Sequence, residues 1–210
     1  MIPALLFGGA FSPPTIAHIK LAEHAKNCTG RDCVIFVPSK NSYIRDTQHK
    51  SFAFSDEERL RMLEKCAETR EWMKVSDWEI RREKQPRTYE TLCHLKEEGY
   101  QCSLLFGTDK LCELEHEWLY VDEIAHEFGM TVIARGGDNP EEMIADDPYL
   151  RTLRPYMELV PALENTKHVS STHVRNELNE ILNHMRAIRQ IVPKELTGMI
   201  LDYAEGELDK

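Results

Sequence analysis

Gly8-Gly9 with His18, and the run Ser170-Ser171-Thr172 with Arg175, are the residues of this 210-residue chain whose types and spacing could do chemistry. The chemistry they suit is the holding of phosphate. Glycines leave no Cβ between an anion and the main-chain N–H groups. His18 falls in the first turns of the helix pattern that follows, where its side chain can reach the same anion. A helix N-terminus adds unpaired N–H groups and the positive end of its dipole. In the second group, hydroxyls directly ahead of a helix supply donors, and an arginine one turn later supplies a charged fork of N–H groups. Either group alone could be an ordinary turn or an ordinary N-cap. Two of them, near opposite ends of one chain, point to a ligand with several phosphates.

These residues need elements to position them. Ala4-Leu5-Leu6-Phe7 reads as a short buried strand, stopped by the two glycines and by Pro13-Pro14, with a helix from Ile16. Cys33 to Val37 is a second, β-branched strand ended by Pro38. Strand, helix and strand in forty residues predict a βαβ unit in a parallel sheet. Ser39 to Phe54 is polar, has no period, carries Lys40, Arg45 and Lys50, and is long for a connection. Ser55-Asp56-Glu57-Glu58 is a capping-box start for a helix that carries Leu60, Leu63 and Ala67 on one face. Val75 to Ile80 alternates and then turns polar.

A helix is predicted from Thr88 to about Glu98, ended by Gly99, then a strand over Ser103–Phe106 with Gly107-Thr108-Asp109 at its carboxyl end. A helix from Val121 to about Phe128 leads to a strand over Thr131–Ala134 and a second glycine turn, Arg135-Gly136-Gly137. Asn139-Pro140 opens another helix, and Glu158–Val160 is the last strand. Leu178, Ile181, Leu182, Met185 and Ile188 give a long amphipathic helix, and Pro193 starts a final one. The expected fold is α/β, a Rossmann-like doubly wound and mostly parallel sheet with helices on both faces. Residues 1–210 are expected as a single domain, with the C-terminal helices from about residue 171 packed on it. In such sheets ligands sit at the carboxyl ends of the strands.

The formal net charge of −10 argues against a nucleic-acid or anionic-membrane partner, so a phosphate-rich ligand needs local basic residues. The six cysteines include no C-x-x-C pair, and neither they nor His116, His126 and His184 fall at a metal-ligand spacing, so no protein metal site is expected. With no charged leader and no apolar run near the ~20 residues that span a bilayer, a soluble, cytoplasmic protein is expected.

The first stretch is similar to the G-x-F-x-P-x-[HT]-x-x-H signature of the nucleotidylyltransferase superfamily. Val169 to Arg175 is similar to that superfamily's I-S-S-T-x-[IV]-R. Further segments resemble one branch of it in order. Asp77-Trp78-Glu79-Ile80-Arg81-Arg82 resembles D-x-E-x-x-R, Pro86 to Leu92 resembles [SP]-x-T-x-x-T-L, and Leu105 to Asp109 resembles I-I-G-x-D. Trp118 resembles the tryptophan that follows, Ile133 to Gly137 the V-x-R-x-G, and Arg59 to Leu63 the R-x-x-M-L. The series covers almost the whole chain and is that of the nicotinate and nicotinamide mononucleotide adenylyltransferases.

The resemblance implies that Gly8, Gly9, Phe11, Thr15 and His18 line an ATP site, that Gly107 and Asp109 meet the ribose, and that Ser171, Thr172 and Arg175 meet the distal phosphates. It implies that Thr88, Tyr89, Trp118 and Arg135 hold the pyridine nucleotide, Trp118 by stacking on a cationic ring; a core anchor is the other role open to that tryptophan. Lys50 or Lys40 approaches the phosphates, Lys50 being preferred for its spacing to Arg59. His18, Lys50 and Arg175 form the catalytic group, with Mg2+ carried on the substrate. Thr15 stands where many members have a first histidine, Ser12 replaces the usual acidic or amide residue, and Asp109 to Trp118 is one residue longer than usual. The reaction implied is transfer of AMP from ATP to nicotinate or nicotinamide mononucleotide, with release of pyrophosphate. The alternatives are a phosphopantetheine or CTP-dependent transferase of the same superfamily, or a nucleotide-binding regulator without turnover. The acceptor base is left open, and so is the oligomeric state, a homo-oligomer included.

Overall fold

A computed structural model describes residues 1–46, 54–163 and 171–191. Its centre is a sheet of six parallel strands: β1 (Ile2–Gly9), β2 (Cys33–Pro38), β3 (Met73–Val75), β4 (Tyr100–Gly107), β5 (Met130–Ile133) and β6 (Met157–Val160), in the order β3-β2-β1-β4-β5-β6. The order reverses between β1 and β4, and a crevice opens outside their carboxyl ends at such a switch point.

The period-two alternation of the strands sorts the core into two layers. Ala4 and Leu6, with Ile35, Val37, Leu104 and Phe106, face one way. There they meet α5 (Thr88–Glu97), α6 (Val121–Glu127), α7 (Pro140–Asp146) and α8 (Pro148–Leu153) through Leu92, Leu95, Ile124, Ile144 and Leu150. Leu5, Val34, Phe36 and Leu105 face the other way, against Ile19, Ala22 and Ala25 of α1 (Ile16–Thr29) and Leu63 of α3 (Asp56–Ala67). Helices on both faces of a parallel sheet make the doubly wound fold that the sequence predicts. The chain divides into two units, Met1–Ser171 and Thr172–Lys210, and the second carries most of a long helix, α9 (Ser171–Ile191).

The Ser55 capping box is present: Glu58 N–H donates to Ser55 Oγ at 3.2 Å and Ser55 N–H to Glu58 Oε2 at 2.8 Å. Three segments carry structure that the sequence pattern leaves unassigned. Ser39 to Phe54 is not without structure, because Asn41–Asp46 forms a short helix, α2. Its first N–H donates to Asp56 Oδ1 at 2.7 Å, a cap supplied from α3 rather than locally. The alternation of Val75 to Ile80 does not mark a strand: β3 ends at Val75, and Trp78–Arg81 is one helical turn, α4, that buries the consecutive residues Glu79 and Ile80. A 3-10 turn over Thr108–Glu113 and the helix α8 lie where no element was predicted. The final helix predicted from Pro193 lies outside the described residues. The six cysteines are free thiols, and burial of Cys102 pushes its pKa up to about 12, as befits a core residue.

Candidate active site

A cavity of about 280 Å³ opens at the switch point. Its wall brings together Gly8 and Gly9 at the end of β1, Gly107 and Asp109 at the end of β4, Thr88 at the start of α5, Trp118, and Arg135 beyond β5. All seven are predicted site residues, drawn from five separate segments. The wall also holds residues to which the sequence reading gave no site role: Phe7, Ser39, Tyr43, Glu79, Gln85, Arg87, Lys110 and Glu113.

Beside it, the turn from β1 to α1 is built around Phe11. Phe11 is buried, 2% exposed, and sits in the left-handed region at φ 44°. Its ring meets Phe7, Phe36 and His18 at centroid distances of 5.4, 5.4 and 5.2 Å. A Cβ on Gly9 would lie 3.1 Å from the Phe11 ring, so the second glycine lets that ring close under the strand end. A left-handed bulky residue costs conformational energy, and such positions concentrate where a turn must hold one shape. Thr15 is the N-cap of α1: its backbone N–H donates to His18 Nδ1 at 3.0 Å, and its Oγ1 lies 2.8 Å from the same nitrogen. A backbone N–H can only donate, so Nδ1 accepts and the neutral ring carries its proton on Nε2. Ser171 reaches this turn from 158 positions away, donating its hydroxyl to the Pro13 carbonyl at 2.8 Å.

Arg59 fastens the turn from below. It is the largest fully buried side chain among the described residues, 0% exposed. Nη1 donates to the Ala10 carbonyl at 2.6 Å, and Nη2 donates to the Ser39 carbonyl and to Asp56 Oδ1. One guanidinium thus ties the β1–α1 turn, the exit of β2 and the start of α3. Burial pulls its pKa down against the opposing effect of Asp56.

On the β4 side, buried Thr108 donates to Asp138 Oδ2 and accepts from Arg135 N–H at 3.1 Å, fixing the second glycine turn. Arg135 Nε and Asp109 Oδ1 form an ion pair at 3.1 Å directly over Gly107. A Cβ there would meet both side chains at 2.5 Å, so glycine is what lets the pair lie across the strand end. Trp118 is half-buried, packed on the core with its ring 6.0 Å from that of Phe106, and lines the cavity as well.

Other predicted residues lie elsewhere. Phe11, Thr15, His18 and Ser171 belong to the turn rather than to the cavity wall, joined to it through Phe7, Gly8 and Gly9. Tyr89 does not join Thr88 in the wall. Its hydroxyl donates to Glu127 at 2.9 Å, a contact that, with burial, pushes its pKa up to about 12. Lys40 is committed to structure, its Nζ donating to the carbonyls of Ile80 and Arg82 at 2.9 and 2.5 Å. Lys50 lies outside the described residues. In the second unit, Arg175 Nη2 donates to Thr172 Oγ1 at 3.0 Å, and Arg175 is buried, which lowers its pKa.

Residues 6–177 match the family model described as cytidylyltransferase-like. A Clostridium botulinum (strain Okra / Type B1) protein named "Probable nicotinate-nucleotide adenylyltransferase" is 32% identical over 86% of this chain and 89% of its own length. One of the same name from C. botulinum strain Eklund 17B is 28% identical over 93% of each chain. The Plasmodium falciparum nicotinic acid mononucleotide adenylyltransferase complexed with APC shares the fold, with a TM-score of 0.64 and 19% identity over 84% of this chain and 83% of that one.

Proposed function

We infer that this chain, which belongs to the cytidylyltransferase-like family and to its nicotinate-nucleotide adenylyltransferase branch, is an adenylyltransferase of NAD biosynthesis that moves AMP from ATP to a pyridine mononucleotide. The observation that carries the reading is the cavity itself. Gly8 and Gly9 at the end of β1, Gly107 and Asp109 at the end of β4, and Trp118 line one crevice, an arrangement that suits a phosphate cradle, a ribose-facing strand end and an aromatic face.

In the reaction, an oxygen of the mononucleotide's 5′-phosphate attacks the α-phosphorus of ATP, and the bond to pyrophosphate breaks. The nucleophile is already ionised, so the chain has to position and to stabilise charge. Gly8 and Gly9 offer backbone N–H groups, Phe11 and Thr15 hold the shape of the turn, and His18 offers the Nε2 proton. Gly107 and Asp109 take the adenosine ribose, and Thr88, Trp118 and Arg135 the acceptor nucleotide. Lys50, Ser171, Thr172 and Arg175 are assigned to the distal phosphates on their motifs alone. The acceptor proposed is the nicotinate form, for which the named relatives are called.

Mg2+ is proposed as an ion carried by the phosphates and water, neutralising charge on the departing pyrophosphate. The donor set suits this. Asp109 is paired with Arg135 and Glu113 with Lys110, and no three His, Cys, Asp or Glu side chains stand together as a metal site among the described residues. A cytoplasmic location is also proposed; among the described residues no helix is long and apolar enough to cross a membrane.

The test is pyrophosphate release from ATP and from CTP with nicotinate mononucleotide, nicotinamide mononucleotide and phosphopantetheine as acceptors. Turnover confined to ATP with a pyridine mononucleotide is expected. Turnover with CTP or phosphopantetheine alone would move the chain to another branch, and binding of ATP without any turnover would make it a regulator.

A further inference from the structure

Glu79 is a buried acid in the cavity wall, 6% exposed, and among the described residues it is held by neutral groups. Thr91 Oγ1 donates to Oε1 at 2.7 Å and Gln85 Nε2 to Oε2 at 2.5 Å. The other acids of the wall differ: Asp109 pairs with Arg135, Glu113 with Lys110, and Glu117 is exposed. No ion pair to Glu79 forms among the described residues, and the nearby Lys40 spends its ammonium on the carbonyls of Ile80 and Arg82.

A carboxylate taken out of water is costly unless it meets a positive charge. A glutamine at position 79 would satisfy the same donors. The Lys40 N–H donates to Gln85 Oε1 at 2.8 Å, which turns the Gln85 amide nitrogen toward position 79. An amide oxygen there would accept that hydrogen bond, and the amide nitrogen could donate to the Thr91 hydroxyl. Among the described residues, therefore, nothing requires an acid rather than an amide at position 79. Two of its four acceptor sites are in use, and it shares its cavity with Thr88 and Trp118.

The substrate class supplies the missing charge. The ring of a pyridine mononucleotide is quaternised at nitrogen and permanently cationic, whereas the ring of the dihydro form is neutral. We propose that Glu79 is the counter-charge for the cationic pyridine ring and makes the enzyme select oxidised over reduced mononucleotides. This rests on the reading of the chain as a pyridine-mononucleotide adenylyltransferase. Ring charge would be read from one side by the Trp118 face and from another by the Glu79 carboxylate. Raising the carboxylate's proton affinity, as burial does here, fits a group whose ionised form is completed by the ligand.

The experiment measures pyrophosphate release with nicotinate and nicotinamide mononucleotides, each in oxidised and dihydro form, for the wild type, Glu79→Gln and Glu79→Asp. The wild type is expected to favour the oxidised form by roughly tenfold or more in kcat/KM, the scale of one partly desolvated charge pair. Glu79→Gln should cut that ratio to about threefold or less through KM for the oxidised form, leaving KM for ATP near that of the wild type and the melting temperature no lower than the wild type's. Glu79→Asp, which keeps the charge, should keep the direction of the preference. A purely structural Glu79 would raise KM for both forms alike and leave the ratio unchanged, which overturns the proposal. So does a wild-type ratio near one, whether or not a variant folds. Absence of turnover with every mononucleotide would instead remove the functional reading, and this proposal with it.

Discussion

Thr15 and His18 cap one another: the Thr15 N–H and hydroxyl both converge on Nδ1 of His18, at 3.0 and 2.8 Å. The contact satisfies the first donor of α1 and fixes the histidine's tautomer, so Nε2 carries the proton of the neutral ring. A residue that reads in sequence as a substitute for a motif histidine therefore serves the histidine that remains.

His18→Ala should lower kcat about a hundredfold or more, the usual worth of one donor aimed at developing charge, about 3 kcal/mol. Thr15→Val removes the hydroxyl but leaves the backbone donor, so its loss should stay below about tenfold. Initial rates at saturating substrates, read beside melting temperatures, separate the two. Equal losses in both variants would mean that the hydroxyl, not the backbone, sets the ring.

Arg59 is the structural counterpart of that cap. Its fork serves the Ala10 and Ser39 carbonyls and Asp56 at once, while Nε finds no partner among the described residues. Arg59→Met leaves two carbonyls and the partly exposed Asp56 carboxylate short of donors, and should cost about 3 kcal/mol in urea unfolding, the low end for a broken buried pair because Asp56 keeps the Asn41 N–H and some solvent. Arg59→Lys keeps the charge without the planar fork and should recover part of this. A loss under about 1 kcal/mol in Arg59→Met would show that the turn holds itself.

Glu79 carries a pH signature in the ligand-free protein. Burial raises its pKa above the ordinary 4.5, against the lowering effect of the Thr91 and Gln85 hydrogen bonds. An acid with a raised folded-state pKa contributes its stability in full below pH 4.5 and loses it as pH climbs through the raised value. The stability of the wild type relative to Glu79→Gln should therefore fall as pH rises from 4.5 towards neutrality. Denaturant unfolding of both proteins across that range checks it; parallel curves would mean that Glu79 ionises as it would in the unfolded chain.

What the sequence made legible was what local pattern controls. The β1 run, its glycines and the Ser55 capping box signal themselves within a few residues, and the strand–helix alternation implies a switch point. The resemblance to the mononucleotide adenylyltransferases, rather than local pattern, is what assigns the glycine turn, Asp109, Trp118 and Arg135 to one site. Long-range caps and helix phase were not legible. The α2 helix depends on Asp56, fifteen positions away from Asn41. Thr88 and Tyr89 look alike as neighbours in a motif, but successive helix residues point about 100° apart. Thr88 therefore faces the cavity while Tyr89 turns to Glu127. Glu79 stands as the acid of the D-x-E-x-x-R resemblance, but nothing in its local sequence says that α4 will bury it, or that Thr91 and Gln85 will meet there.

Trp118 holds two roles that one substitution cannot separate. It packs on the core beside Phe106 and also lines the cavity, so Trp118→Ala removes buried area and any stacking surface together. Replacing a large aromatic by alanine in a core costs about 3–5 kcal/mol, and a half-buried site should lie at or below the low end of that range. Trp118→Phe keeps an aromatic ring against Phe106 but offers a smaller and weaker face to a cation, tryptophan being the best of the aromatic partners. It should fold with a melting temperature within a few degrees of the wild type, hold KM for ATP, and raise KM for nicotinate mononucleotide several-fold. With the dihydro mononucleotide, whose ring is neutral, the same variant should show a smaller rise. If Trp118→Phe leaves both mononucleotide constants unchanged while Trp118→Ala unfolds, the indole is a core anchor and the ring is held by other parts of the wall.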